Sequence, residues 1–279
     1  MKRWFATLLV FAVCTVVVRA DVTVVQTTTV EGGMAAMAGG NVPTPTMTTR
    51  MKGLRSRTDV DTGGAVSVIT ITDLAAKQII ILRPDQKTAT IASAAPGATP
   101  GAPAAPVAPA AASGGVDASM TPTGKSQTID GIKCDEYAFT TSLDMGALTG
   151  GQMPPEAAAS MQGMKMMMAG SMWVAKDLPG VADYIAYQKA SASIDMSGAA
   201  AGISGVNLPG MDKVMKAMGS LDGMAYLTEM TMKVEGTGQI ADMMKQMGPM
   251  KVTIRTTSIK ADALSDDLFK VPDGYTVVK

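Results

Sequence analysis

Strand-like segments recur along this chain and outnumber helical ones, and they constrain its fold most. Residues 22–30 are almost entirely Val and Thr, types that fit a pleated surface. In the stretch 46–61, Met47, Thr49 and Met51 fall on one side, with Thr48, Arg50 and Lys52 on the other, the pattern of a half-buried strand. Residues 65–72, 77–82 and 87–92 continue in extended form, with turns at Gly63-Gly64, at residues 73–76 and at Arg83-Pro84-Asp85-Gln86. The pattern resumes over 125–143, in Tyr226, Thr228, Met230, Met232 and Val234, and over 250–260.

Helical spacing interrupts the strands in the second half. Pro154-Pro155-Glu156 reads as a helix start, after which Met161, Met164 and Met168 share one helical face, followed by a short strand at 171–176. Residues 181–189 read as helical. Met211, Val214, Met215 and Met218, and then Ile240, Met243, Met244 and Met247, keep the 3.6-residue period of amphipathic helices. Hairpin connections are short and βαβ alternation is absent. The expectation is an α+β class: a curved antiparallel sheet with helices covering one face.

The chain carries 25 Met and no His in 279 residues. The missing imidazole removes the commonest general base and the commonest metal ligand together. Ser-His-Asp and Cys-His arrangements are impossible, and zinc would have one mature Cys and carboxylates only. Neither a phosphate-binding GxxxxGK[ST] loop nor a GxGxxG after a strand occurs. Paired carboxylates stay open, because folding decides their pairing, and the local pair Asp266-Asp267 reads as a solvated turn. A non-enzymatic protein without cofactor is expected.

Lys2 and Arg3 precede an apolar run from Trp4 to Val18, and Val18-Arg19-Ala20 suits a small-residue cleavage rule. Residues 1–20 therefore read as a signal peptide cleaved after Ala20, with a periplasmic or secreted destination. Its removal takes Lys2, Arg3, Arg19 and Cys14, leaving a net charge of about −3 and one thiol, Cys134. Near-neutral charge without a basic cluster argues against nucleic acid as a partner and leaves no polybasic patch for anionic membranes. A lone thiol cannot pair within its chain, and Cys134 sits in a strand-like stretch that suits a small buried residue. Residues 93–124 form an Ala/Pro/Gly/Ser tract with Asp117 as its one charge before Lys125. It reads as a disordered insertion between neighbouring strands of a single domain spanning 21–279.

Five phrases, in order, resemble one family: Arg50-Met51-Lys52-Gly53-Leu54-Arg55-Ser56-Arg57; residues 79–87, an apolar strand running into a polar turn; Gly131-Ile132-Lys133-Cys134-Asp135-Glu136-Tyr137; residues 173–180, with Trp173 and Leu178-Pro179-Gly180; and residues 268–275, closing on Val271-Pro272-Asp273-Gly274-Tyr275. The family is an exported bacterial domain of unknown function, similar to the periplasmic lipoprotein carriers of the Lol type. The resemblance implies a half-open β-barrel with helices as a lid over a hydrophobic cavity. It does not by itself imply lipoprotein transport, since a fold does not fix a function.

Three functional readings follow. A lipid or lipoprotein-like ligand, with a possible partner in the cell envelope, suits an incompletely filled Met-rich interior. Its expected lining is Met164, Met168, Trp173, Met211, Met215 and Met218. A structural or interaction protein would use the same side chains as a filled core. A Cu(I) protein would draw on the thioethers of Met161, Met164 and Met168.

Overall fold

A computed structural model describes residues 21–32, 44–93, 116–145, 163–194 and 211–278. The expected signal segment, the Pro154 helix start with Met161, and residues 94–115 of the Ala/Pro tract lie outside the described residues.

Among the described residues twelve strands form one sheet. The first meander is β1 (Val22–Gly32), β2 (Thr46–Lys52), β3 (Arg55–Asp61), β4 (Val66–Asp73), β5 (Gln78–Arg83) and β6 (Thr88–Ser93). The second is β7 (Val116–Ile129), β8 (Ile132–Asp144), β9 (Lys165–Ala175), β10 (Met224–Glu235) and β11 (Met250–Ala261). The spatial order is β12-β6-β5-β4-β3-β2-β1-β11-β10-β9-β8-β7, and the antiparallel pairing of β1 with β11 joins the two meanders. The short β12 (Thr276–Val278) lies parallel to β6. Local turn chemistry sets the hairpins. Asp130 and Gly131, at φ 53° and 82°, supply the two left-handed positions that a two-residue turn between β7 and β8 requires.

Three α-helices occur among the described residues: α1 (Val181–Ser193) and α2 (Met211–Gly219) within the β9–β10 connection, and α3 (Gln239–Gln246) within the β10–β11 connection. The expected helix-covered α+β class is therefore corrected. The molecule is predominantly β, its sheet stays open between β7 and β12, and its helices are few. Among these helices α1 and α2 pack on one another, α1 on β1, β2 and β10, α2 on β7, and α3 on β10. A second correction concerns Met164 and Met168. Residues 165–175 form one continuous strand, not a helix followed by a short strand. Four residues is an even number, so an i, i+4 pair shares a face in a strand as it does in a helix. The Ala/Pro tract also joins different strands from those expected. It links β6 to β7, which stand near opposite ends of the sheet, and β7 already begins at Val116.

The two faces of the sheet are closed differently. On the outer face, Ile69, Ile71, Ile80, Leu82, Ala89 and Phe269 form a buried cluster. The C-terminal segment seals it with Leu264, Leu268, Val271 and Tyr275. Charge holds that segment down: Arg55 and Lys52 reach Asp266 at 2.6 and 3.3 Å, Lys52 donates to the Leu264 carbonyl at 2.6 Å, and Arg57 to that of Leu268 at 3.1 Å. The Arg55 guanidinium also stacks 5.1 Å from the Phe269 ring centroid. A second outer cluster contains Ile129, Cys134, Trp173, Ala175 and Tyr226.

Two predictions follow from this packing. A Cβ at Gly170 in β9 would stand 2.0 Å from the Glu229 carbonyl oxygen and 2.7 Å from the Met230 Cα, both backbone atoms of β10. Gly170→Ala should lower stability by about 1–3 kcal/mol, read as a fall in thermal midpoint; an unchanged midpoint contradicts this register. Asp266 is held below the usual carboxylate range, first by its hydrogen bond from Arg55 and then by Lys52. A depressed folded-state pKa contributes stability above the unfolded value of about 3.9, and that stability disappears as pH falls through the folded value. In wild-type protein the thermal midpoint should fall below about pH 4. Asp266→Asn should flatten part of that acid limb, and an unaltered limb would remove Asp266 from the account.

Candidate functional site

On the inner face the helices cover the sheet only in part. The chain enters α1 through Gly180, at φ 71°, where an added Cβ would meet the Val22 side chain at 2.4 Å. The helix start is thus pressed onto β1, and Val22, Val24 and Met224 pack with Val181 and Tyr184. One turn on, Tyr187 packs with Met51 and Leu74, and its hydroxyl lies 2.6 Å from Ser56 Oγ in β3. α2 is set against α1 by small residues, since a Cβ at Gly219 would lie 2.5 Å from the Ala192 Cβ. Leu221, just beyond α2, packs on Met172 and Val174 of β9.

Two hollows lie among the described residues, one on each side of α1. The larger, about 470 Å³, lies between α1, α2 and the second meander. Its walls are Met120 of β7, Phe139 and Leu143 of β8, Met168 and Met172 of β9, Met230 of β10 and Ile254 of β11, roofed by Val214, Ala217 and Met218 of α2. Five of these groups are methionines, whose flexible thioethers accommodate varied apolar shapes. The smaller hollow, about 360 Å³, lies over the first meander, lined by Thr49, Ser56, Thr58, Thr72 and Ser191 among others. Gln26, Tyr184 and Gln188 line both. Burial pushes the Tyr184 and Tyr187 hydroxyls up from the ordinary phenol range, so both are neutral donors at physiological pH.

Met168 and Met218, expected at the site, line the larger hollow. Met164 is fully buried just before β9 and is not part of that wall. Trp173 is excluded by strand parity: Met172 faces the hollow, so Trp173 faces out and packs with Cys134 and Tyr226. Met211 and Met215 lie in α2, but their side chains fall outside the described residues. The copper trio loses its basis in a shared helical turn, because extended chain spaces Met164 and Met168 about 13 Å apart. Met120, Phe139, Leu143, Met172, Met230, Tyr184 and Gln188 were missed. Residue-by-residue alternation along β7–β10 was the signal available for most of them.

The outer face carries polar chemistry of another kind. Asp130 accepts from Arg255 at 2.5 and 2.6 Å and from the Tyr226 hydroxyl at 3.1 Å, which holds its carboxyl below the usual range. Cys134 is fully buried, and its thiol is pushed up by burial and then by the Asp135 and Asp130 charges, a setting that suppresses thiolate reactivity. Among the described residues no group of three or more Cys, Asp or Glu converges as a metal site, and no helix is long and apolar enough to cross a membrane.

No family model and no curated protein matches the sequence. The chain is distantly similar in structure to LppX, a lipoprotein of Mycobacterium tuberculosis. That match has 8% identity and a TM-score of 0.29, and covers 87% of this chain and 88% of the other. At that level it is a distant likeness only. The motif resemblance to an exported domain family has no counterpart among family models.

The Tyr187–Ser56 hydrogen bond is a buried polar tie between α1 and the sheet. Tyr187→Phe leaves Ser56 without that partner and should lower stability by about 1 kcal/mol, seen as a lower urea midpoint at unchanged slope. A midpoint equal to wild type would show that the bond does not anchor α1.

Proposed function

We propose that this chain is an exported, non-enzymatic protein that binds a hydrophobic ligand, a lipid or the acyl part of a lipoprotein, in the larger inner hollow. The observation that carries the reading is the 470 Å³ space walled by Met120, Phe139, Met168, Met172 and Met230 and roofed by Met218. Its volume falls within the range of about 300–1,000 Å³ usual for small-molecule sites, and such sites are mostly apolar with a few placed polar groups. Burial of a ligand methylene contributes about 0.8 kcal/mol, against an association cost of at least about 4 kcal/mol. Tails of more than about five methylenes are therefore needed before binding becomes favourable. Export rests on the basic start, the apolar run to Val18 and the cleavage site at Ala20. A partner in the cell envelope, to deliver or receive the ligand, belongs to the same proposal; nucleic acid does not, given the near-neutral charge. The alternative of a wholly filled Met core is opposed by the open space itself.

Delipidated protein should enhance the fluorescence of cis-parinaric acid at micromolar concentration. Met168→Gln with Met230→Gln keeps volume but adds two amides to the wall. It should weaken that binding by about tenfold or more, equivalent to about 1.4 kcal/mol. Absence of binding by the folded wild-type protein, or full affinity in the double variant, would overturn the assignment.

A further inference from the structure

The two hollows differ in chemistry, and that difference identifies a ligand class. The larger is mainly apolar, walled by Met, Phe, Leu and Ile with Ser119, Thr141 and Thr228 among them. The smaller also has Val24, Met51, Leu74 and Ile79 in its lining, but it is the richer in hydroxyls, from Thr49, Ser56, Thr58, Thr72, Tyr187 and Ser191, and none of the described residues that line it is Asp, Glu, Lys or Arg. Both occupy the same face of the sheet. Register carries that face from Thr72 in β4 through Ser56, Met51 and Val22, and from Thr49 through Val24, along β1 to Gln26 and across β11 to Ile254 and Thr228. They meet under α1 at Gln26, Tyr184 and Gln188. There Gln188 Nε2 donates to the Tyr184 hydroxyl at 3.0 Å, and Gln26 Nε2 donates to Thr256 Oγ1 at 3.3 Å. The junction is thus built of uncharged donors and acceptors.

We infer that the ligand is an amphiphile with an uncharged, hydroxyl-bearing head. Its tail fills the Met-lined hollow, its head occupies the hydroxyl-lined hollow over β2–β5, and the carbonyl linking the two lies at the Gln26–Tyr184–Gln188 junction. This rests on the proposed hydrophobic-ligand reading and specifies it. Hydroxyls match a glycerol- or sugar-like head by reciprocal hydrogen bonding. A carboxylate or phosphate would enter a half-enclosed space with no cation among its described lining residues, and unpaired charge is strongly disfavoured away from water. A hydrocarbon without a head would offer these hydroxyls no hydrogen-bond partner.

Three probes with the same oleoyl tail test this by displacement of cis-parinaric acid from full-length mature protein: 1-oleoylglycerol, oleate and 1-oleoyl lysophosphatidic acid. The glycerol ester should displace at a concentration at least tenfold lower than either anion. Thr58→Val and Thr72→Val remove hydroxyls from the polar hollow alone, and in the double variant the ratio between ester and anions should fall towards one. Far-ultraviolet circular dichroism checks that this variant is folded, and Thr58→Ser with Thr72→Ser, which restores the hydroxyls, should recover the ratio. Equal displacement by all three probes, or preference for an anion, overturns the two-chamber assignment while leaving the apolar site standing. A preference that survives the valine pair also overturns it. Failure of cis-parinaric acid itself to bind removes the hydrophobic-ligand reading on which the inference depends.

Discussion

The pairing of β1 with β11 is the constraint on which the rest of the structure depends. Each meander is built from neighbours in sequence, but this ladder joins residues 22–32 to residues 250–261 and makes one sheet of two. It closes a loop of most of the chain, so its entropic cost is high and its formation is expected late in folding. Buried groups reward it. Thr256 is fully buried, accepts from Gln26 and donates to the Ala225 carbonyl at 3.1 Å, tying β1, β11 and β10 at one point. The register shift between Val25 and Gln26 occurs at the same place. Such a shift bends a strand and increases its local twist, here where the two hollows meet.

Once the halves are joined, the asymmetry between the faces sets the chemistry. The outer face is closed over β3–β6 by a strap of the chain's own C-terminal residues, pinned by Arg55, Arg57 and Lys52. Among the described residues α1 and α2 pack on the inner face, and both arrive within one connection between β9 and β10. The hollows lie on either side of α1, between these helices and the sheet. Methionine suits such a place because an unbranched thioether can move aside for a guest without a fixed rotamer being lost.

The strand pattern was legible wherever local sequence decides it. The turn at residues 84–87, the strands beginning at Val22 and Thr46, and the helices at 181, 211 and 239 all stand close to where periodicity and turn residues place them. Parity misled at particular residues. Tyr226, Thr228 and Met230 read as one face, yet a bulge between Ala225 and Leu227 turns Tyr226 outward to Asp130 while Thr228 and Met230 line the hollow. Trp173 looked like a pocket residue by type and is on the outer side by position. Met164 and Met168 satisfied helix and strand equally, and the longer run of β-ladder pairing with β8 and β10 decided for the strand.

By itself the sequence determined that the chain is rich in antiparallel strands, with a deformable apolar interior and no imidazole chemistry, because period, turn residues and composition are local properties. Tertiary structure decided which methionines meet, that the sheet stays open, and that an apolar hollow and a hydroxyl-lined one share a junction under α1. Those outcomes depend on the long-range β1–β11 register and on two bulges. A one-residue shift in register exchanges the faces of a strand, and nothing in the local pattern records where such a shift falls.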